Sequence, residues 1–217
     1  ILKGFIMQDW QEIIFSEELD FNSKVRKVYD YQFEHNRVYR RFCEALNYLP
    51  NSTGGLETPP LLPIQAFKDV EVTCRPDDEP DLLFQSSGTE SMKRSRHIVA
   101  DESLYRRSLL EGFRYFYDLE GSVIWGYTPG YADNPHSSLI WMINELIGQD
   151  KSELSRFLPL GKALSKKEID QVRKSGKKLI LFGAAFGLLD LAEMSEVSLP
   201  AGSIVIETGG MKTYRRE

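Results

Sequence analysis

One short stretch of the chain brings together small hydroxylated residues, a glycine and several cations, which are the groups needed to hold a polyphosphate. The stretch comprises Ser86, Ser87, Gly88, Thr89, Lys93, Arg94, Arg96 and His97. Gly88 lets the backbone approach a ligand closely, and successive amides in such a turn can form a nest for an anion. We therefore predict a phosphate-binding loop here. It is not a Walker loop, because the chain contains no G-x-x-x-x-G-K-[ST] sequence.

The same stretch also fits a purely structural role. Ser- and Gly-rich turns commonly connect secondary-structure elements, and a short cationic run usually faces water. Glu90 lies inside the turn, where its carboxylate would repel a phosphate. On the residues alone, a phosphate site and a solvent-facing turn are both open.

Apolar runs that alternate with helical patterns predict the elements that position this loop. Leu82–Phe84 reads as a buried strand that enters the loop, and Ile98–Val99 as a strand that leaves it. Further strands are predicted over 123–126, 179–182 and 202–206, with intervening helices that include 104–116, 137–146 and 165–175. This order predicts an α/β fold with a mostly parallel sheet flanked by helices, whose sites lie at the carboxyl ends of the strands.

The first part of the chain is predicted to be mainly helical. The predicted segments are a docking helix over 1–23, a helix over 24–49 capped by Asn22–Ser23, a loop over 51–58, an extended segment over 59–64 and a short strand over 70–73. We therefore expect a helical N-terminal region, residues 1–58, and an α/β subdomain, residues 59–217.

Small and polar residues also follow the later predicted strands. They are Tyr131, the helix start Ser137–Ser138, the turn that begins at Gly183, and the run Glu207, Thr208, Gly209 and Gly210. These positions leave the predicted strands at their carboxyl ends, where the sites of parallel sheets lie. His136 also lies at a helix start, where a lone histidine is more often a neighbour of the cap than a catalyst.

Composition narrows the class of protein. A net charge of -5 over 217 residues argues against general nucleic-acid binding, which requires broad basic faces. Cys43 and Cys74 form neither a disulfide framework nor a zinc site, so we expect both to be buried, apolar side chains in a cytoplasmic protein. No apolar run approaches the roughly 18 residues of a membrane span.

Several of these motifs together resemble one family. Ser86-Ser87-Gly88-Thr89 followed by Arg94-Ser95-Arg96-His97 resembles the signature of acyl-protein synthetases, which are fatty-acid-activating members of the adenylate-forming ligases. Glu207-Thr208-Gly209-Gly210-Met211-Lys212 and the segment from Leu62 to Lys68 resemble further motifs of that family. The chain departs from the superfamily loop at Glu90 and Ser91, where Thr and Gly are expected.

The resemblance implies a reaction and its cofactors. A fatty acid or other carboxylic acid would be activated with ATP and Mg²⁺ as an acyl-adenylate and then passed to a protein thiol, supplying a partner acyl reductase. The implied phosphate-binding residues are those of the loop from Ser86 to His97. The implied adenylate and acyl contacts are Glu207, Thr208, Gly209, Gly210, Gly183, Tyr131, Ser137 and Ser138. For Gly183 and its turn, close backbone packing and lining of an acyl slot are equally compatible. No catalytic residue and no protein metal ligand is assigned.

The resemblance extends to the N-terminal portion of such an enzyme. The family's later Tyr-Gly-x-Thr-Glu segment, its lid domain and its acyl-accepting cysteine have no counterpart before Glu217. Because the chain begins at Ile1 without a methionine and stops just after a diglycine, we expect an interrupted domain that is inactive alone. A coenzyme A ligase of the phenylacetate type and a non-catalytic docking module are the alternatives.

Overall fold

The computed structural model describes residues 9–50, 58–86, 94–128 and 134–209, and the chain divides into two compact units, Ile1–Arg107 and Ser108–Glu217. The helices are α1 (Trp10–Phe15), α2 (Phe21–His35), α3 (Arg37–Ala45), α4 (Ala66–Asp69), α5 (Glu102–Phe116), α6 (Ser138–Gly148), α7 (Lys166–Ser175) and α8 (Ala185–Met194). The strands are β1 (Leu82–Gln85), β2 (Arg96–Val99), β3 (Ser122–Tyr127), β4 (Arg156–Phe157), β5 (Lys178–Gly183) and β6 (Ile204–Glu207). Within the described ranges, no helix is long and apolar enough to cross a membrane.

The N-terminal helices differ from the single long helix predicted over 24–49, which is wrong. Asn36 has an extended backbone with φ -99° and ψ 102°, and it separates α2 from α3. Its backbone N–H donates to the Gln32 carbonyl, while its side-chain oxygen accepts from the amides of Val38 and Tyr39. One asparagine therefore ends one helix and caps the next, a role that its short acceptor side chain favours.

Three smaller predictions for this first unit also need correction or completion. Asp20, not Asn22–Ser23, caps α2, because the Asp20 side chain accepts from the Ser23 amide. Residues 70–73 form no strand, since they have no ladder partner in the part of the chain that the structure describes. Of the docking helix predicted over 1–23, the structure has only α1, whose Trp10 ring lies 4.6 Å from that of Tyr31, whereas residues 16–20 are not helical. Residues 1–8 of that prediction lie outside the described ranges.

The hydroxyl-rich loop connects two antiparallel strands. β1 and β2 pair with each other in a separate two-stranded sheet, with Leu82 opposite Val99 and Gln85 opposite Arg96. Both strands were predicted, but their inclusion in one parallel sheet with the later strands was wrong. Antiparallel strands need only a short connection, which is why the chain can return at once after the loop.

The second unit is the parallel α/β layer that the alternating pattern predicts. Its four strands lie in the order β4-β3-β5-β6, and every pair is parallel. β3 is buried at all six positions, as expected for a central strand covered by helices on both faces. One face packs against α6 through Ile143 and Leu146, and the other packs against α7 and α8. The coarse fold prediction is therefore confirmed.

The strand order defines where a ligand can bind in this sheet. From β3 the chain moves to β4 on one side, then crosses back to β5 and continues outward to β6. The order in which strands are added to the sheet therefore reverses between β3 and β5. In open parallel sheets, the crevice at the carboxyl ends of two such neighbouring strands is the usual binding site. Tyr127 of β3 and Gly183 of β5 form the last pair at this point.

A buried carboxylate fixes the opposite edge of the same sheet. The Asp150 side chain is 2% exposed and accepts hydrogen bonds from Lys177 Nζ at 2.7 Å and from the Ser155 amide and hydroxyl at 3.0 and 2.7 Å. The Ser155 hydroxyl in turn accepts from the Ile124 amide at 2.8 Å. This network ties the loop before β4 to β3 and to the residue that precedes β5.

A glycine in β3 makes a testable packing prediction. A methyl group at Gly126 would lie 2.8 Å from Phe157 Cδ1 and 2.9 Å from Ile143 Cγ2. Gly126→Ala should therefore lower the free energy of unfolding by about 1–3 kcal/mol, measured by urea denaturation. Gly112→Ala is the matched control, because it lies exposed in α5 with no atom within 4 Å of the added carbon. It should stabilise by about 0.5–1 kcal/mol, and equal losses in the two variants would contradict this packing model.

Candidate functional site

The base of the β1–β2 loop is closed by a pair of serines. The Ser86 amide donates to the Ser95 carbonyl at 3.1 Å, and the Ser95 amide donates to the Ser86 hydroxyl at 3.0 Å. Ser95 is buried, whereas Ser86 is half-buried. A hydroxyl that accepts one hydrogen bond can still donate its own proton, so Ser86 is able both to close the loop and to contact an anion.

The cations that follow are available at the surface. Arg94 and Arg96 are both exposed, and Arg96 lies 3.8 Å from Glu71 in an exposed ion pair. Such an exposed pair contributes little to stability. Ser87, Gly88, Thr89 and Lys93 lie outside the described residues, so their assignments stay predictions.

Two sequence motifs that were singled out separately meet in this unit. The His97 ring stacks on the Phe67 ring, with centroids 4.8 Å apart and an interplanar angle of 18°. Phe67 belongs to α4, which packs along β2, and Lys68 beside it is exposed. Sequence reasoning missed this contact and the Glu71–Arg96 pair, because nothing in the local pattern relates residues that are about thirty positions apart.

In the second unit, several predicted site residues share the carboxyl edge of the sheet. Tyr127 pairs with Gly183, and Gly183 pairs with Glu207 on the next strand. The Thr208 amide and hydroxyl both donate to the Gly183 carbonyl, at 2.9 and 3.2 Å. The edge therefore brings together Gly183, Glu207, Thr208 and Gly209, while Gly210 lies outside the described residues.

Gly183 has a packing reason to be glycine. An added carbon there would lie 2.7 Å from Leu188 Cδ2, because α8 passes close to the end of β5. α8 begins at Ala185, and its cap residue Ala184 provides no side-chain hydrogen bond to the first amides. The amides at the start of this helix are therefore not satisfied by a capping side chain, which suits a nearby anionic group.

Ser137 and Ser138, which are predicted to contact the acid after β3, also have a structural role. Ser137 caps α6, since its hydroxyl accepts from the Ile140 amide at 3.3 Å, and Ser138 is the first helical residue. This confirms the predicted helix start. Tyr131 lies outside the described ranges, and the roles of Ser137 and Ser138 in binding an acid stay predictions.

A cleft of about 410 Å³ opens beside this edge, on the face covered by α7 and α8. Its lining residues are Tyr127, Leu160, Gly161, Gly187, Asp190, Glu193 and Met194. Tyr127 anchors one wall, because its hydroxyl accepts from the Gly161 amide at 3.0 Å. The sequence indicated only the turn that contains Gly187, since the other wall comes from the loop after β4.

The two cysteines are not activated nucleophiles. Burial raises the pKa of the Cys74 thiol to about 11, and it also raises the pKa of Cys43. Cys43 is fully buried, as predicted, whereas Cys74 is half-buried and donates to Gln32 Oε1 at 3.3 Å. Both thiols therefore stay protonated near neutral pH, which makes them poor acyl acceptors.

The second unit is a parallel α/β layer with a crevice between the carboxyl ends of β3 and β5 and a cleft beside it. The first unit carries the β1–β2 hairpin with its exposed cations. Among known proteins, the chain is 35% identical over 86 residues to a long-chain-fatty-acid–luciferin-component ligase of Vibrio harveyi. The matched segment covers 40% of this chain and 22% of that ligase, which supports a distant relationship. No protein-family model and no solved structure matches the chain.

Proposed function

We propose that the chain contributes nucleotide and acid sites to an ATP-dependent ligase that activates a long-chain carboxylic acid. The observation that carries this proposal is the partial match to a ligase whose name states a long-chain fatty acid as its substrate and a luciferin component as its acceptor. The carboxylate of the acid would attack the α-phosphate of ATP and displace pyrophosphate, which gives an acyl-adenylate. A protein thiol would then attack the acyl carbonyl, lose its proton and displace AMP. That thioester would supply a partner acyl reductase.

The β1–β2 hairpin is the proposed phosphate site. Ser86, Ser87, Gly88 and Thr89 offer hydroxyl and amide donors, while Lys93, Arg94 and Arg96 offset the negative charge that grows on the leaving pyrophosphate. His97 holds the start of β2 against Phe67, which keeps the two arginines beside the loop. When bound, ATP supplies the α-phosphate that the acid oxygen attacks.

A magnesium ion would be held by the phosphates of ATP, as the family resemblance implies. Across the four described ranges, no group of three or more His, Cys, Asp or Glu residues could hold a metal. Mg²⁺ is commonly bound through substrate phosphates with few protein ligands. We assign it to the phosphates of ATP on the strength of this chemistry.

The carboxyl edge of the second unit is the proposed acid and adenylate site. Gly209 exposes bare backbone there, Gly183 lies buried against Leu188 beside it, and the start of α8 favours a carboxylate. Glu207, Thr208 and Gly210 follow the same strand end, and Ser137, Ser138 and Tyr131 belong to the neighbouring connection after β3. These residues would hold the carboxyl group of the acid.

A hydroxyl deletion tests the phosphate assignment. In the complete protein that contains this chain, Thr89→Ala should slow acid-dependent pyrophosphate–ATP exchange about tenfold, because a hydrogen bond to a charged group contributes roughly 1.5–3 kcal/mol. Thr89→Ser retains the hydroxyl and is the control, which should keep most of the activity. An unchanged exchange rate in Thr89→Ala would refute the assignment.

Assays on the same protein distinguish the alternative functions. Transfer of radiolabelled tetradecanoate to protein supports the acyl-protein synthetase, whereas formation of tetradecanoyl-CoA supports a coenzyme A ligase. A non-catalytic docking module predicts no heat of Mg-ATP binding in calorimetry, an outcome that the carboxylate of Glu90 would explain.

A further inference from the structure

The cleft beside β3 differs in chemistry from the strand-end edge that it adjoins. Leu160 from the loop after β4 and Met194 from α8 provide apolar surface, Gly161 and Gly187 add no side chains, and Asp190 and Glu193 add carboxylates. Its volume of about 410 Å³ lies within the range of small-molecule sites, which are mostly apolar with a few polar groups. Building on the proposed function, we infer that this cleft holds the hydrocarbon chain of the acid and that Met194 limits its length.

The cleft adjoins the proposed reaction edge through Tyr127. Tyr127 lines the cleft and is also the residue that pairs with Gly183 at the end of β5. An added carbon at Gly187 would lie 3.3 Å from the Tyr127 ring, so this ring packs directly on the first turns of α8. An acid whose carboxyl group lies at the strand ends can therefore extend its chain along α8 without leaving the protein surface.

The charges along α8 indicate the direction in which the hydrocarbon chain of the acid lies. With a rise of 1.5 Å per residue, Asp190 and Glu193 lie roughly 8 and 12 Å along the helix from Ala185. The amides at the helix start favour a carboxylate, whereas the two acidic side chains farther along repel one. The carboxyl group of the acid therefore lies at the strand ends, and its methyl end points towards Met194, the last residue of α8.

Substitutions at the cleft rim test the inferred chain site without any need for catalysis. Met194 is 38% exposed, so Met194→Trp can fill the far part of the cleft without disturbing the core. Tetradecanoate binding to the purified chain, measured by calorimetry, should weaken about tenfold, the effect expected from a few lost methylene contacts, whereas hexanoate binding should change less than about twofold. Leu160→Trp narrows the cleft next to Gly161 and should weaken the binding of both acids.

Leu189→Trp is the matched control. Leu189 lies on the same helix and is 49% exposed, but it does not line the cleft. Its substitution should leave the binding of both acids unchanged. Circular dichroism of all three variants verifies that α8 is intact.

A dicarboxylic acid tests the direction in which the hydrocarbon chain lies in the cleft. Tetradecanedioate places a second carboxylate near Asp190 and Glu193, so it should bind about tenfold more weakly than tetradecanoate. In the double variant Asp190→Asn, Glu193→Gln, this difference should fall to about twofold. Equal binding of the two acids by the unaltered chain would overturn the inferred direction.

These outcomes separate the inference from the proposed function. Absence of tetradecanoate binding, or equal weakening by Met194→Trp and Leu189→Trp, would overturn the inference. Binding that responds as expected would support it even if no acid-dependent pyrophosphate exchange occurs, a result that would count against the ligase. Conversely, pyrophosphate exchange in Met194→Trp could depend on the length of the acid as it does in the unaltered protein. That result would support the ligase function and contradict the inferred site for the hydrocarbon chain.

Discussion

Asp150→Asn should lower the free energy of unfolding of the second unit by about 3 kcal/mol. The carboxylate is buried and accepts from Lys177, Ser152 and Ser155, and an amide in its place would turn a donor towards one of these donors. Breaking a buried ion pair costs about 3–5 kcal/mol, and the low end applies because Lys177 keeps 24% of its surface in water. Urea denaturation at neutral pH measures the difference.

The contribution of Asp150 should depend on pH in a defined direction. Burial alone would raise the pKa of this carboxyl, but hydrogen bonds from Lys177, Ser152 and Ser155 outweigh burial and hold the pKa well below its usual range. A depressed pKa stabilises the folded chain above the unfolded value of about 3.9, and this contribution is lost as the pH falls towards the folded value. The difference between the unaltered chain and Asp150→Asn should therefore be constant above about pH 5 and shrink below about pH 4.

Asp170→Asn provides the control for the Asp150 prediction. Asp170 pairs with Arg173 at 3.2 Å on α7, where the side chains of Asp170 and Arg173 are 38% and 49% exposed. Its loss should cost less than about 1 kcal/mol. Similar losses in the two variants would show that the buried network contributes no more than a surface ion pair.

The sequence predicted most of the second unit, because its signals are local. The apolar runs of β3 and β5 form the centre of the sheet, and the helix starts at Ser137 and Ser165 are both capped by the predicted serine. For α7 the reciprocal bonds of Ser165 and Glu168 complete a capping box. A parallel sheet buried on both faces leaves a continuous apolar pattern that single elements reveal.

The wrong predictions have physical causes that apolar periodicity does not contain. Periodicity continues across Asn36 because α2 and α3 both present apolar faces, although an asparagine with an acceptor side chain is itself a helix-start signal. The pairing of β1 with β2 alone depends on strand direction, which a short apolar run does not specify. Val70, Val72 and Thr73 have β-branched side chains, yet a strand requires a partner, and none lies beside them among the described residues.

The candidate site could be predicted only where its residues are contiguous in sequence. The hydroxyl-rich loop and the segment from Glu207 to Gly209 were recognised as motifs, and the structure places the latter beside Gly183. The stacking of Phe67 on His97 and the walls of the cleft arise from separate segments. Long-range contacts of this kind depend on packing, which explains why the length-limiting role inferred for Met194 had no sequence signal.

The double variant Arg94→Ala, Arg96→Ala should weaken Mg-ATP binding about a hundredfold. Each guanidinium can donate a charge-assisted hydrogen bond to a phosphate, and two such bonds at roughly 1.5 kcal/mol each sum to about 3 kcal/mol. Both side chains are exposed at the base of the hairpin, so their removal should leave β2 folded. Calorimetry with Mg-ATP measures the affinity, and circular dichroism verifies the fold.

Two controls make the arginine prediction specific to the hairpin. Arg37→Ala, Arg41→Ala removes the same number of charges from exposed positions of α3 and should leave the affinity unchanged. Glu71→Gln releases Arg96 from its 3.8 Å ion pair and should leave nucleotide binding equal or slightly tighter. If Arg37→Ala, Arg41→Ala weakened binding as much as the hairpin variant, net charge alone would account for the effect. If the hairpin variant bound Mg-ATP normally, the cations after the loop would be a solvated surface and the phosphate would have to bind elsewhere.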